Sequence, residues 1–189
     1  MGKRKVSLQP ELLLVWGLLL FLNPGQVFAP FFLAAALHEL AHGAAIYLCG
    51  GKVLSVRLTV SGAVMETSPL SYGKETLCAL AGPAASFSLL LVGKYAPWLA
   101  FWGMLQGCYN LLPIYPMDGG RALRGILLRH LSMEQTDRIL RCCKISTFAA
   151  LLMASLYGAW VWQIGYAPLL LVCLLLFRMY EKETPGESG

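Results

Sequence analysis

Apolar residues in this chain gather into six runs: Leu12–Leu22, Val27–Cys49, Thr76–Val92, Trp98–Ile114, Ile145–Ile164 and Ala167–Phe177. A helix needs about 20 apolar residues to cross a bilayer. The four middle runs approach or exceed that length, while the first and last reach about half of it. Asn23-Pro24-Gly25 marks a turn between the first two runs. The first run crosses only if it borrows from Val6–Pro10 or the bilayer thins around it, and Pro168 opens the last one near its first turn. Lys3-Arg4-Lys5 before Leu12–Leu22, with Val27-Phe28-Ala29 behind, also has the layout of a secretory signal peptide. A further long apolar run follows at once after Pro30, and the segment is taken as a retained span.

Between the second and third runs the period changes. Leu54, Val56, Leu58 and Val60 alternate with Ser55, Arg57, Thr59 and Ser61, the two-residue period of a strand with one apolar face. Gly62 interrupts the alternation, and Ala63–Glu66 returns as a second strand. Farther on, Ser132-Met133-Glu134-Gln135 forms a capping box, and the helix it starts runs into the fifth apolar run. Glu181–Gly189 is a polar tail. The expected architecture is one all-α integral membrane domain, residues 1–180. It has about six transmembrane helices and a small membrane-associated β-hairpin.

Composition agrees with a membrane protein. Hydrophobic residues make up 57% and charged residues 13%, with a mean hydropathy of +0.61, against about 45–50% and about 25% in soluble domains. A net charge of +5 raises the question of nucleic acid, but the distribution answers it differently. With six spans, every lysine and arginine except Lys94 falls on one side, which the positive-inside rule assigns to the cytoplasm. Both termini are therefore expected in the cytoplasm of a multi-pass cell-membrane protein, with lipid rather than nucleic acid as its surroundings. Cys49, Cys78, Cys108, Cys142, Cys143 and Cys173 follow no metal or disulfide spacing and are expected as free thiols.

One cluster of ionisable residues lies inside an apolar run. His38-Glu39-Leu40-Ala41-His42 places two imidazoles four residues apart, on one helix face, where both can bind one metal. Glu39 follows the first ligand and can take a proton from water. Ionisable groups in a spanning helix are costly and mark function. Zinc requires a third protein ligand, and elimination leaves Asp118. Glu66, Glu75, Glu134 and Asp137 fall in polar segments, His130 follows a basic helix, and the remaining glutamates lie near the ends. His42 sits about 10 Å above the cytoplasmic end of its helix. Asp118 can meet it there if Pro113 and Pro116 break the fourth run and Gly119-Gly120 permits a bend.

The sequence His38–His42 together with Asn110-Leu-Leu-Pro113-Ile-Tyr-Pro-Met-Asp118-Gly119 resembles the site-2 protease family of intramembrane zinc metalloproteases, matching its NxxPxxxxDG pattern. Ala81-Gly82-Pro83-Ala84-Ala85-Ser86 is similar to the family's glycine-proline element, which often carries Asn where Ser86 stands. The likeness runs from Val27 to about Arg121, in a minimal layout similar to the branch that processes sporulation sigma-factor precursors. It implies one zinc ion held by His38, His42 and Asp118, Glu39 as general base, and a membrane protein or membrane-tethered substrate, with a regulatory membrane partner as a further possibility. Asn110 is implied as a group holding the substrate backbone or the site, with a helix–helix hydrogen bond as the alternative. No function is assigned to Ser86, and Gly82, Ala84 and Ala85 are read as allowing close helix packing. The resemblance also suggests that Leu54–Ser61 supplies a sheet edge for an unwound substrate, the alternative being a strand that only covers the cavity. Arg121–Arg141 suits an anionic membrane surface, with contact to a cytoplasmic substrate tail as the alternative. An inactive membrane binding protein and a metal transporter are the rival readings.

Overall fold

A computed structural model describes residues 5–8, 28–59, 62–115 and 117–161. The apolar runs Leu12–Leu22 and Ala167–Phe177, the polar tail and Cys173 lie outside the described residues. The elements in chain order are strand β1 (Lys5–Leu8), helix α1 (Phe28–Leu48), strands β2 (Val53–Thr59) and β3 (Gly62–Thr67), and helix α2 (Tyr72–Ser88). A 3-10 turn (Leu89–Val92) and helices α3 (Pro97–Asn110), α4 (Asp118–Leu127) and α5 (Met133–Val161) follow.

Among the described residues, three helical segments are long and apolar enough to cross a membrane: Ala29–Leu48, Tyr72–Val92 and Met133–Val161. Large apolar side chains stand exposed along them, among them Tyr47, Leu91, Met153 and Trp160. In water such a surface would be unstable; in lipid it is the expected one. The fourth run departs from expectation. It forms a helix of 14 residues that ends at Asn110, about 21 Å long and shorter than the ~30 Å hydrocarbon core. Pro113 and Pro116 forbid its continuation, and α4 begins at Asp118.

The expected hairpin is present but is part of a larger sheet. β2 pairs antiparallel with β3, from Val53↔Thr67 to Thr59↔Gly62, with a bulge between Val53 and Ser55. β1 pairs in parallel with the other side of β2, from Lys5↔Ser55 to Leu8↔Leu58. Two expectations are thereby corrected. Val6–Leu8 does not lengthen the first apolar helix, because its backbone is engaged in the sheet. Within Leu54–Ser61, the described strand β2 is not an edge, because it is flanked on both sides; among the described residues the edge beside it belongs to β3.

Helix α2 is the hub, packed against α1, α3 and α4. Its contact with α3 is close because Gly103 and Gly107 have no side chains: a Cβ at Gly103 would lie 2.7 Å from the Ser86 carbonyl oxygen, and one at Gly107 3.1 Å from the Phe87 ring. Small residues four apart let membrane helices approach backbone to backbone. At the start of α5 the capping box forms as expected. The Gln135 amide donates to Ser132 Oγ at 3.4 Å, and the Ser132 amide to Gln135 Oε1 at 3.2 Å. Cys49, Cys78, Cys108, Cys142 and Cys143 are free thiols.

Candidate metal centre

Ala34, His38, His42 and Ile46 are the buried residues of α1, each four positions from the next. That spacing makes one stripe along the helix, facing α2. Two imidazoles are buried in it because α2 supplies their polar partners. His42 Nδ1 donates to the Cys78 carbonyl oxygen at 2.7 Å, and His38 Nδ1 meets Ser86 Oγ at 2.8 Å. A carbonyl only accepts, so Nδ1 of His42 carries the hydrogen, and neutral His42 turns the lone pair of Nε2 inward. Cys78, Gly82 and Ser86 are themselves four residues apart, so the facing stripe of α2 matches the stripe of α1.

Asp118 closes the group from the start of α4. Its Oδ2 lies 3.0 Å from His38 Nε2 and 3.1 Å from His42 Nε2, and the two Nε2 atoms are 3.2 Å apart. All three residues are buried. A tetrahedral zinc ion with ligand bonds of about 2.0–2.1 Å separates its donor atoms by about 3.3 Å. The three observed distances therefore match the edges of one face of such a tetrahedron. Burial raises the Asp118 carboxyl, but the imidazoles, when protonated at Nε2, outweigh it through hydrogen bonds and charge and lower it to about 2. Asp118 is thus a carboxylate at neutral pH. Its other oxygen, Oδ1, faces the Arg121 guanidinium at 3.8 Å.

The backbone that brings Asp118 here depends on two glycines. A Cβ on Gly119 would run into the Leu111 carbonyl, and one on Gly120 into the Tyr115 amide. Only at glycine can α4 start so close to the turn that precedes it. Gly82 performs a comparable service on the opposite wall. A Cβ there would collide with His42 Nε2 and lie 2.7 Å from His38 Nε2. The space in front of both imidazoles is open because Gly82 has no side chain, and it is where an ion bound by them would sit. Donor set, spacing and free volume all fit zinc.

Glu39 is half-buried, adjacent to His38 on α1. Asn110 is the last residue of α3 and makes no side-chain hydrogen bond among the described residues, so the helix–helix bond considered for it is not observed. Glu134, Asp137 and His130 are exposed and away from the centre. Sequence reasoning missed Ser86, the Cys78 carbonyl, Arg121 and the position of Gly82 against the imidazoles. The four-residue spacing of Cys78, Gly82 and Ser86 was the available signal.

No known family profile matches the chain. It is 29% identical over 172 residues to zinc metalloprotease MJ0392 of Methanocaldococcus jannaschii, covering 84% of this chain and 49% of that protein. It is 34% identical over 111 residues to Rip3 of Mycobacterium tuberculosis, whose name proposes the same activity, covering 49% of this chain and 28% of that protein. The chain thus spans half or less of the curated relatives it matches. Among solved structures, the site-2 protease from Methanocaldococcus jannaschii superposes with a TM-score of 0.68 at 24% identity, covering 100% of this chain and 94% of that one. That likeness speaks for the fold. The chain thus has the fold of this site-2 protease and is similar in sequence to zinc metalloprotease MJ0392 and to Rip3.

Proposed function

We propose that this protein is a zinc-dependent endopeptidase that cuts a peptide bond in or near a membrane segment of its substrate. The observation that carries the reading is the buried face formed by His38, His42 and Asp118, with a gap at Gly82 where a side chain would otherwise be. A zinc ion bound there supplies Lewis acidity toward the scissile carbonyl and lowers the pKa of water. The chain's own residues do the rest. Ser86 and the Cys78 carbonyl fix the imidazole orientations from behind, as outer partners of metal-bound histidines do. Glu39 accepts a proton from the attacking water and delivers it to the leaving amine. Asn110, at the break between α3 and α4, is placed to steady the substrate backbone or the turn.

A peptide bond within a helix is shielded by its own hydrogen bonds, so the substrate must be unwound before it is cut. The free edge of β3 can receive such a segment as an added strand. The reading places the site toward the cytoplasmic side of the cell membrane. A connection between α3 and α4 at membrane depth would then be tolerated by lining a wet cavity. A transporter would need ligands along a path, whereas among the described residues these three side chains form a single group. An inactive relative commonly lacks a ligand or the glutamate, and all four positions are present here.

The test is co-expression with a membrane-tethered candidate substrate. Glu39→Gln is expected to keep its zinc and leave the substrate intact, and cleavage by that variant at the wild-type rate overturns the mechanism. Zinc bound by wild type without any cleavage would favour an inactive binder.

A further inference from the structure

We infer that a cavity beside the metal centre recognises one uncharged, amide-bearing side chain of the substrate, that of Gln or Asn, next to the bond that is cut. This rests on the protease reading above. The cavity has a volume of about 200 Å³ and is bordered by Ile46, Thr67, Leu70, Glu75, Cys78 and Arg121. Its walls are tied to the centre at three points. Ile46 lies one turn beyond His42 on the buried stripe of α1. The carbonyl of Cys78 holds His42 at 2.7 Å. Arg121 stands 3.8 Å from Asp118. Thr67 is the last residue of β3, so a strand laid along that free edge ends at the cavity. Side chains on such a strand point alternately to its two faces, and one of them enters.

Charge then selects among side chains. Glu75 and Arg121 both line the cavity, yet among the described residues no ion pair includes Glu75. Among the described residues the Glu75 carboxylate makes no side-chain hydrogen bond either. The contact of Arg121 with Asp118 is longer than a hydrogen bond, so the guanidinium keeps donors to spare. A lysine entering this space meets Arg121, and an acidic side chain meets Glu75; like charges brought together across an interface are strongly disfavoured. An apolar side chain would desolvate both groups and satisfy neither. A carboxamide satisfies both: its oxygen accepts from Arg121 and its NH2 donates to Glu75. No net charge is carried in.

Glu75 also lies in the first turn of α2, where a carboxylate complements the helix dipole. That role alone would leave selectivity unchanged when the charge is removed, which separates the two. The full chain, purified in detergent micelles and loaded with zinc, is given single-span peptides of one sequence. They differ in carrying Gln, Glu, Lys or Leu at each position flanking the cleaved bond, which mass spectrometry locates. At one of these positions wild type is expected to favour Gln over Glu and over Lys by about tenfold or more in kcat/KM. In Glu75→Gln the Glu peptide should rise to equal the Gln peptide, with zinc content unchanged. Equal kcat/KM for all four residues at every flanking position, or the same preference in both proteins, overturns the inference and leaves the protease reading standing. Absence of cleavage by zinc-loaded wild type overturns the protease reading, and the inference with it.

Discussion

Gly82 separates two kinds of helix argument. By intrinsic propensity, alanine in place of glycine inside a helix is favourable by about 1 kcal/mol. At this position the added methyl group would occupy the space in front of both imidazoles. Gly82→Ala is therefore expected to fold with undiminished helicity by circular dichroism and to retain little or no zinc by elemental analysis. A variant that kept wild-type zinc would show that the ion, if bound, sits elsewhere. Ser86 offers a graded counterpart, since its hydroxyl holds Nδ1 of His38 at 2.8 Å. Loss of an outer partner to a metal-bound histidine typically costs about 10–100-fold in metal affinity. Ser86→Ala should weaken zinc binding within that range in a chelator competition, and Ser86→Asn, whose side-chain oxygen can also accept, should recover most of it. The three candidate ligands were legible in the sequence because ionisable groups are rare in an apolar chain and their spacing is chemically constrained. Ser86 and the Cys78 carbonyl were not: a serine is unremarkable in a helix, and a backbone carbonyl leaves no mark in a sequence at all.

Elements were legible where their signals are local. The two-residue alternation of Leu54–Thr59 announced β2, and Ser132 with Gln135 announced the start of α5; both lie where expected. Strand β1 was not foreseen because four residues, Lys5–Leu8, carry too little periodicity. Their pairing with β2 spans a long crossover containing α1, and a non-local partner is not visible in a short window. The same gap misassigned the sheet edge from β3 to β2. The capping box gives a direct check on α5, which runs 29 residues from Met133. Replacing an N-cap serine by alanine costs about 1 kcal/mol, and here the loss should stay local. Ser132→Ala is expected to speed hydrogen exchange several-fold at the first-turn amides of α5 while leaving exchange farther along the helix unchanged. Uniform exchange in the two proteins would mean that packing, not the cap, fixes this end.

At the scale of the whole molecule, the length of α3 and the depth of the metal centre explain each other. α1 carries His38 and His42 well inside its length, so the chain that brings Asp118 to them has no reason to cross completely. A helix of 14 residues, about 21 Å long, can descend from the loop at Lys94 to the level of the imidazoles, turn there, and pass into α4. If α3 and the turn behave in this way, Lys94 lies on the face opposite to the start of α5. The proposed topology, which rests on the charge distribution, then has Lys94 outside and the α4–α5 connection in the cytoplasm. Single-cysteine variants can read this directly. In a cysteine-free background, Lys94→Cys is expected to react with a membrane-impermeant maleimide on intact cells. A lone Cys142, exposed on the early part of α5, is expected to react only after permeabilisation. The reverse pattern would put the metal centre toward the outer face. Labelling of both residues on intact cells would mean that α3 crosses no part of the barrier, and the link between its length and the depth of Asp118 would be lost.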